Sequence, residues 1–229
     1  KIEGIQSRGV MAALDYLRAT EAELPIRGKP VLVLGGGDTA MDCARVAVRR
    51  GATRSIVAYQ RDEANMPGSR KEVKAAKEEG VEFNFLISPN RFVADEKGGL
   101  KSIEFQQMEL GEPDAEGRRS PKPVPGKTIN FPAEIAVLAF GFKIDNKLVA
   151  EALGLKTDKW GNILVNPETG ATTRAGVFAG GDCTNGADLA STAVVAGRKA
   201  AAAIDRFLSD RNWAAVAIPP ECTPPMEAK

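Results

Sequence analysis

Histidine is absent from this 229-residue chain. No Ser-His-Asp triad, Cys-His pair or imidazole-ligated metal can therefore be assembled from it. Cysteine is scarce: Cys43, Cys183 and Cys222 lie far apart and form no C-x-x-C pair. That argues against a structural zinc, an iron–sulfur cluster or a disulfide framework within the chain, and a reducing, cytoplasmic setting is expected. Long apolar runs are also missing. The longest, Ile135 to Phe140, stops at Gly141 and is far too short to span a bilayer. Lys1 to Gly9 lacks the apolar core of a secretory leader. Neither charge dominates, since 31 basic and 30 acidic residues leave a net charge of +1. Neither nucleic acid nor a membrane is expected as a partner. Aromatics make up only 6% of the chain against 43% hydrophobic residues. The apolar weight is thus aliphatic, as in a parallel sheet covered by helices.

What is present is a run of strand and helix signals. Val10 to Glu21 has helical spacing, with Met11, Leu14 and Leu17 on one face. Pro30–Leu34 is a short apolar strand that runs into Gly35-Gly36-Gly37, and Thr39 to Arg50 is a helix closed by Gly51. Ser55–Tyr59 is the next strand, completing a βαβ unit. Ser69 and Glu72 fit a capping box for a helix ending near Gly80. Val81–Ile87, Arg91–Ala94 and Leu100–Glu109 follow as strands, and Gly111–Lys127 is a solvated loop or hairpin. Ala133–Phe140 is a further buried strand. Asn146–Leu153 is a short helix, Trp160–Val165 and Gly176–Asp182 are strand-like, and Asp188 to Leu208 is a long Ala-rich helix. Residues 212–229 are expected to be an irregular, proline-containing tail.

Gly35-Gly36-Gly37-Asp38-Thr39-Ala40 matches G-x-G-x-x-A, and it lies between an apolar strand and a helix, the context that gives the motif meaning. Gly35 would make the tight turn and Gly37 would admit a pyrophosphate. Ala40 would let helix and strand pack closely, with the helix N-terminus facing the phosphates. The alternative is a glycine-rich βα turn that holds nothing. The second strand ends Tyr59-Gln60-Arg61. Arg61 is placed to pair with a 2′-phosphate, which points to NADPH. Asp62 leaves this open, because it could neutralise Arg61 or bind the ribose itself. Gly181 and Asp182 end a strand shortly before the long helix, and a carboxylate there could accept from a ribityl hydroxyl of FAD. The helix start, at Leu189, Thr192 and Ala193, could face the flavin's pyrimidine edge. Asp182 alone could equally be a turn residue.

Gly35 to Cys43, Arg61-Asp62-Glu63, Asn65 to Ser69, Gly111 to Asp114, Ala139 to Phe142 and Phe178 to Asp182 together resemble the small-subunit family of glutamate synthase and its relatives. The resemblance runs from about Gly4 to Leu208. It implies an α/β fold in which a Rossmann-like NAD(P)H-binding domain, residues 28–141, is inserted in the remaining part of an FAD-binding domain, residues 1–27 and 142–211. It also implies hydride transfer from NADPH to FAD and onward through iron–sulfur clusters to the glutamate synthase large subunit or another electron acceptor. The second glycine loop and the cluster-binding cysteines would lie upstream, so the chain is expected to be a C-terminal fragment with weak or no FAD affinity. Gln60 stands where the family often has a second arginine, which reduces the expected preference for NADPH over NADH. No side chain is expected to act as a catalytic acid, Gly141 and Phe142 would form a crossover near the cofactors, and no metal site is expected. A non-redox NADPH-sensing module and an interaction domain with an empty loop remain as other classes.

Overall fold

The computed structural model describes residues 2–113, 119–141 and 145–218. It divides into two compact units, Lys1–Gly141 and Phe142–Lys229.

The first unit opens with β1 (Val10–Ala12) and α1 (Ala13–Arg18). The helix is shorter than the Val10 to Glu21 pattern suggests, for two reasons. Its first turn is drawn into the sheet as β1, and its end is cut by Glu23, whose carboxylate accepts from both Thr20 N and Thr20 Oγ1 at 2.8 Å. Next come β2 (Pro30–Leu34), α2 (Asp38–Arg49), β3 (Arg54–Tyr59), α3 (Arg70–Glu78) and β4 (Glu82–Phe85). They are followed by β5 (Ile87–Ala94), β6 (Leu100–Pro113), β7 (Arg119–Pro132) and β8 (Ile135–Leu138). Five strands form a parallel sheet in the order β1-β8-β2-β3-β4, while β5, β6 and β7 form a separate antiparallel sheet.

Alternation along β2 explains the layers. Val31 and Val33 face α2, packing with Ala40, Met41, Cys43, Ala44 and Ala47. Leu32 and Leu34 face the other way, onto Phe92, Leu100, Ile103 and Phe105 of the antiparallel sheet. Such a strand, buried on both sides, reads as a continuous apolar run rather than an alternating one. Ser55 Oγ donates to the Ala44 carbonyl at 2.8 Å, satisfying a buried hydroxyl and tying β3 to α2. Tyr16 and Ile26 are fully buried in the same core as Val31. Residues 1–27, assigned by the family resemblance to the other domain, therefore pack with this unit. Residues 111–113 and 119–127 belong to the β6–β7 ribbon, whose outer strand β7 is mostly exposed and sets Pro121 opposite Leu110 and Pro123 opposite Met108. Asp114 of the family motif lies outside the described residues.

The second unit contains α4 (Lys147–Leu153), the short α5 (Asp182–Asn185) and the long α6 (Ala190–Asp210). The strands expected at Trp160–Val165 and Gly176–Asp182 are reduced to single bridges, Thr157 with Ile163, Val165 with Thr172 and Ala171 with Phe178. The expected irregular tail begins in a packed state. Trp213 lies edge-on to Phe207 and Phe178 at centroid distances of 5.4 and 5.5 Å. Val216 is fully buried, and its carbonyl accepts from Thr169 Oγ1. Among the described residues, no helix is long and apolar enough to cross a membrane.

Candidate functional site

The glycine loop leaves the C-terminal end of β2, where parallel α/β sheets hold their ligands. Gly35 has φ +147°, and its amide donates to the Ala58 carbonyl of β3 at 3.1 Å. A Cβ on Gly35 would strike the Ala139 carbonyl, so only glycine passes between β2 and the end of β8. Gly36 lies against the Tyr59 ring, 2.7 Å from where its Cβ would be. Gly37 is the N-cap of α2, and a Cβ there would meet nothing within 4 Å. The chain thus turns its one open glycine toward the free N–H groups of the first helical turn. Asp38 and Thr39 begin that turn, and Ala40 is fully buried against the sheet.

Arg61 follows β3 and is half-buried. Its Nε is enclosed and has no hydrogen-bond partner among the described residues. Asp62 forms no salt bridge with it among the described residues. The Asp62 carboxylate accepts from Asn65 N at 3.0 Å and Asn65 Nδ2 at 2.6 Å, capping a turn of 3₁₀ helix at Glu63–Asn65. Tyr59 Oη donates to the Asn65 carbonyl at 3.0 Å. Burial pushes the Tyr59 phenol up, with the Arg61 charge opposing. The end of β3 and the loop after it are thereby held as one piece.

That loop continues into Met66-Pro67-Gly68-Ser69, a strap lying on the glycine loop. Gly68 N donates to the Gly36 carbonyl at 2.9 Å, and Ser69 N donates to Asp38 Oδ1 at 2.6 Å. Ser69 also caps α3, its Oγ accepting from Glu72 N at 3.3 Å. Only half of the expected capping box forms, because the Glu72 carboxylate pairs with Arg45 of α2 instead. Gly68, Tyr59 and the Ser69 amide were not singled out as site residues from the sequence. No local pattern marks a contact across so many positions. Arg70, also passed over, opens α3 and helps line a cleft of about 340 Å³ with Met66, Val73 and Lys74. Gly141 closes the first unit in a left-handed conformation, φ +91°, while Phe142 lies outside the described residues.

In the second unit, Gly181 has φ +81° and caps α5, which Asp182 begins. A Cβ on Gly181 would lie 3.3 Å from that of Ala193, and one on Gly180 would lie 3.0 Å from that of Ala196. Close packing therefore brings the glycine turn against the first turns of α6. Leu189 is the exposed N-cap of α6, and the Thr192 and Ala193 amides donate to its carbonyl at 3.0 and 3.2 Å. The Asp182 side chain is exposed and makes no hydrogen bond among the described residues. Among the described residues there is also no cluster of three or more His, Cys, Asp or Glu suited to a metal.

Comparison with known proteins adds the following. The family described as pyridine nucleotide-disulphide oxidoreductase matches residues 2–197. AegA of Escherichia coli (strain K12), provisionally named an oxidoreductase, is 49% identical over 219 residues, which is 89% of this chain and 33% of that protein. The glutamate synthase (NADPH) small chain of the same organism is 42% identical over 223 residues, 90% of this chain and 47% of that one. The chain thus spans less than half the length of either relative. Among solved structures, FprA from Mycobacterium tuberculosis, in complex with NADPH, aligns with a TM-score of 0.71 at 16% identity. The alignment covers 97% of this chain and 64% of that one.

Proposed function

The chain belongs to the pyridine nucleotide-disulphide oxidoreductase family and has the α/β fold of two-dinucleotide-binding flavoproteins, and on that premise we propose that it is the NADPH-accepting part of a flavoprotein oxidoreductase. Gly35, Gly36, Gly37, Asp38, Thr39 and Ala40 would receive the pyrophosphate at the α2 N-terminus, and Arg61 the 2′-phosphate. The observation that carries this reading is the division of labour at the end of β3. Asp62 Oδ1 is taken up by the Asn65 amide groups, and Arg61 pairs with no carboxylate among the described residues.

Gly181, Asp182, Leu189, Thr192 and Ala193 would form the part of an FAD site that this chain contributes, with Gly141 at the passage between cofactors. The glycine turn and the start of α6 lie together in the second unit, and the exposed Asp182 carboxylate has no hydrogen bond among the described residues, which fits a ribityl hydroxyl. When bound, the two cofactors supply the hydride chemistry. The chain's own residues orient them, and since it holds no histidine it contributes no imidazole acid or base. Residues 28–141 as an insert within an FAD domain, iron–sulfur clusters carried upstream, a cytoplasmic setting and delivery to a glutamate synthase large subunit complete the reading. The small-chain relative supports that acceptor. A different acceptor on the same scaffold is the second reading, because AegA shares more identity and names no acceptor.

The test is calorimetric titration with NADPH and with NADH, repeated on Arg61→Ala. NADPH is expected to bind more tightly, and the substitution to remove about 1.5–3 kcal/mol of that advantage, the usual worth of a hydrogen bond to a charged group. Equal affinities in the wild type would rule Arg61 out as a phosphate partner.

A further inference from the structure

Asp38 occupies an unexpected place for an anion, in the first turn of the helix that would face a pyrophosphate. Pointed at the ligand, its carboxylate would repel it. Instead Oδ1 accepts the Ser69 amide at 2.6 Å. Ser69 is the N-cap of α3, so the carboxylate is spent on the positive end of a second helix. The same strap meets the loop again through Gly68, whose amide reaches the Gly36 carbonyl at 2.9 Å. Approach at Gly68 is so close that a Cβ there would lie 2.9 Å from that carbonyl. Gly36 in turn packs on Tyr59, and the Tyr59 hydroxyl holds Asn65. The strap therefore borders the glycine loop on the side of β3, where the adenosine ribose lies in such folds, and Arg70 follows directly after it.

We propose that Asp38 is a positioning residue for nucleotide selectivity. Its carboxylate staples the Met66–Ser69 strap to the glycine loop and so holds the wall that closes around the 2′-phosphate end of NADPH. The inference rests on the nucleotide reading above and gives Asp38 a role other than phosphate contact. Release of the staple leaves Gly35 and the α2 N-terminus in place, since these are fixed by β2, β3 and β8. The loss falls on the end of the nucleotide that distinguishes NADPH from NADH.

The experiment compares Asp38→Ala with Asp38→Asn in the full chain, titrating each with NADPH and NADH and following exchange of the Ser69 amide without nucleotide. The alanine variant is expected to lose about tenfold in NADPH affinity and less than threefold for NADH, and to exchange faster at Ser69. The asparagine variant keeps an acceptor oxygen and is expected to restore both the selectivity and the protection. Gly68→Ala, which lifts the strap while Asp38 stays intact, is expected to repeat the alanine result. If asparagine loses the selectivity as alanine does while its Ser69 amide stays protected, the Asp38–Ser69 bond does not set the selectivity and the proposal fails. An unchanged NADPH-to-NADH ratio in Asp38→Ala would also overturn it. A wild-type chain that binds neither nucleotide sinks the nucleotide reading and the selectivity role with it, while Ser69 exchange still decides whether the staple exists.

Discussion

Arg49 grips Glu79 with two parallel hydrogen bonds, Nε to Oε2 at 3.0 Å and Nη2 to Oε1 at 2.7 Å. Arg45 adds two more to Oε1, at 2.9 and 2.7 Å. One carboxylate at the end of α3 thus joins two arginines of α2. These hydrogen bonds, from Arg49 first and then Arg45, lower the Glu79 pKa from 4.5 to about 2. A depressed carboxylate stabilises the fold above its unfolded pKa and loses that contribution as pH falls through the folded one. Glu79→Gln should therefore lower the urea midpoint at pH 7, and the difference from wild type should shrink between about pH 4.5 and 2. A gap that stays constant over that range would mean the pairing contributes nothing through charge.

Two neighbouring glycines should fail in opposite ways. Gly35→Ala forces a side chain onto the Ala139 carbonyl at φ +147°, and is expected to cost about 2–4 kcal/mol of stability. Gly37→Val points into open space at an ordinary φ of −89°, so it should cost about 1 kcal/mol or less. Its effect should appear in binding, as a loss of about tenfold or more in nucleotide affinity, ~1.4 kcal/mol. Chemical denaturation and calorimetry on the pair would check both, and a Gly37→Val chain that binds as tightly as wild type would remove the loop from the ligand.

Tyr16 carries a buried hydroxyl with no hydrogen-bond partner among the described residues. Burial, with a smaller contribution from Cys43, raises its pKa well above the ordinary phenol range. Deleting an unsatisfied polar atom while keeping the ring should relieve a desolvation cost. Tyr16→Phe is expected to be neutral or to stabilise the chain by about 1 kcal/mol. A clear loss in a urea titration would reveal a partner for that hydroxyl.

Trp213 joins Phe178 and Phe207 in edge-on contacts over the buried pair Ala171 and Ala203. Trp213→Ala should cost about 2–3 kcal/mol, below the full core value because the indole is only partly buried. Differential scanning calorimetry should show the loss. An unchanged transition would mean that the turn at Trp213–Ala215 adds nothing to its unit.

The central βαβ unit was readable because its signals are local. An apolar run bounded by three glycines, then helical spacing ending at Gly51, leaves few alternatives for β2, α2 and β3. The α6 helix was legible for the same reason. The short β1 was hidden because Val10–Ala12 takes its conformation from pairing with β8, whose register partners are Ala136 to Leu138. Trp213 was lost to the proline-rich composition that follows it. The Asp38–Ser69 bond was out of reach on other grounds. Asp38 reads as part of a glycine motif and Ser69 as a helix cap, both correctly, and nothing in either pattern says that one supplies an acceptor to the other.

The pairing of β7 has a consequence for how this molecule meets others. Proline is tolerated in a ladder only where its missing N–H would have faced away from the partner strand. Pro121 and Pro123 pair with β6, so the positions they occupy are those whose donors would have pointed outward. The outer rim of the ribbon there offers carbonyls and no amides. A visiting strand would find half of its hydrogen-bonding complement missing along Pro121–Pro123, so that stretch of the exposed edge is closed to sheet extension. Recognition of the ribbon there has to go through its side chains.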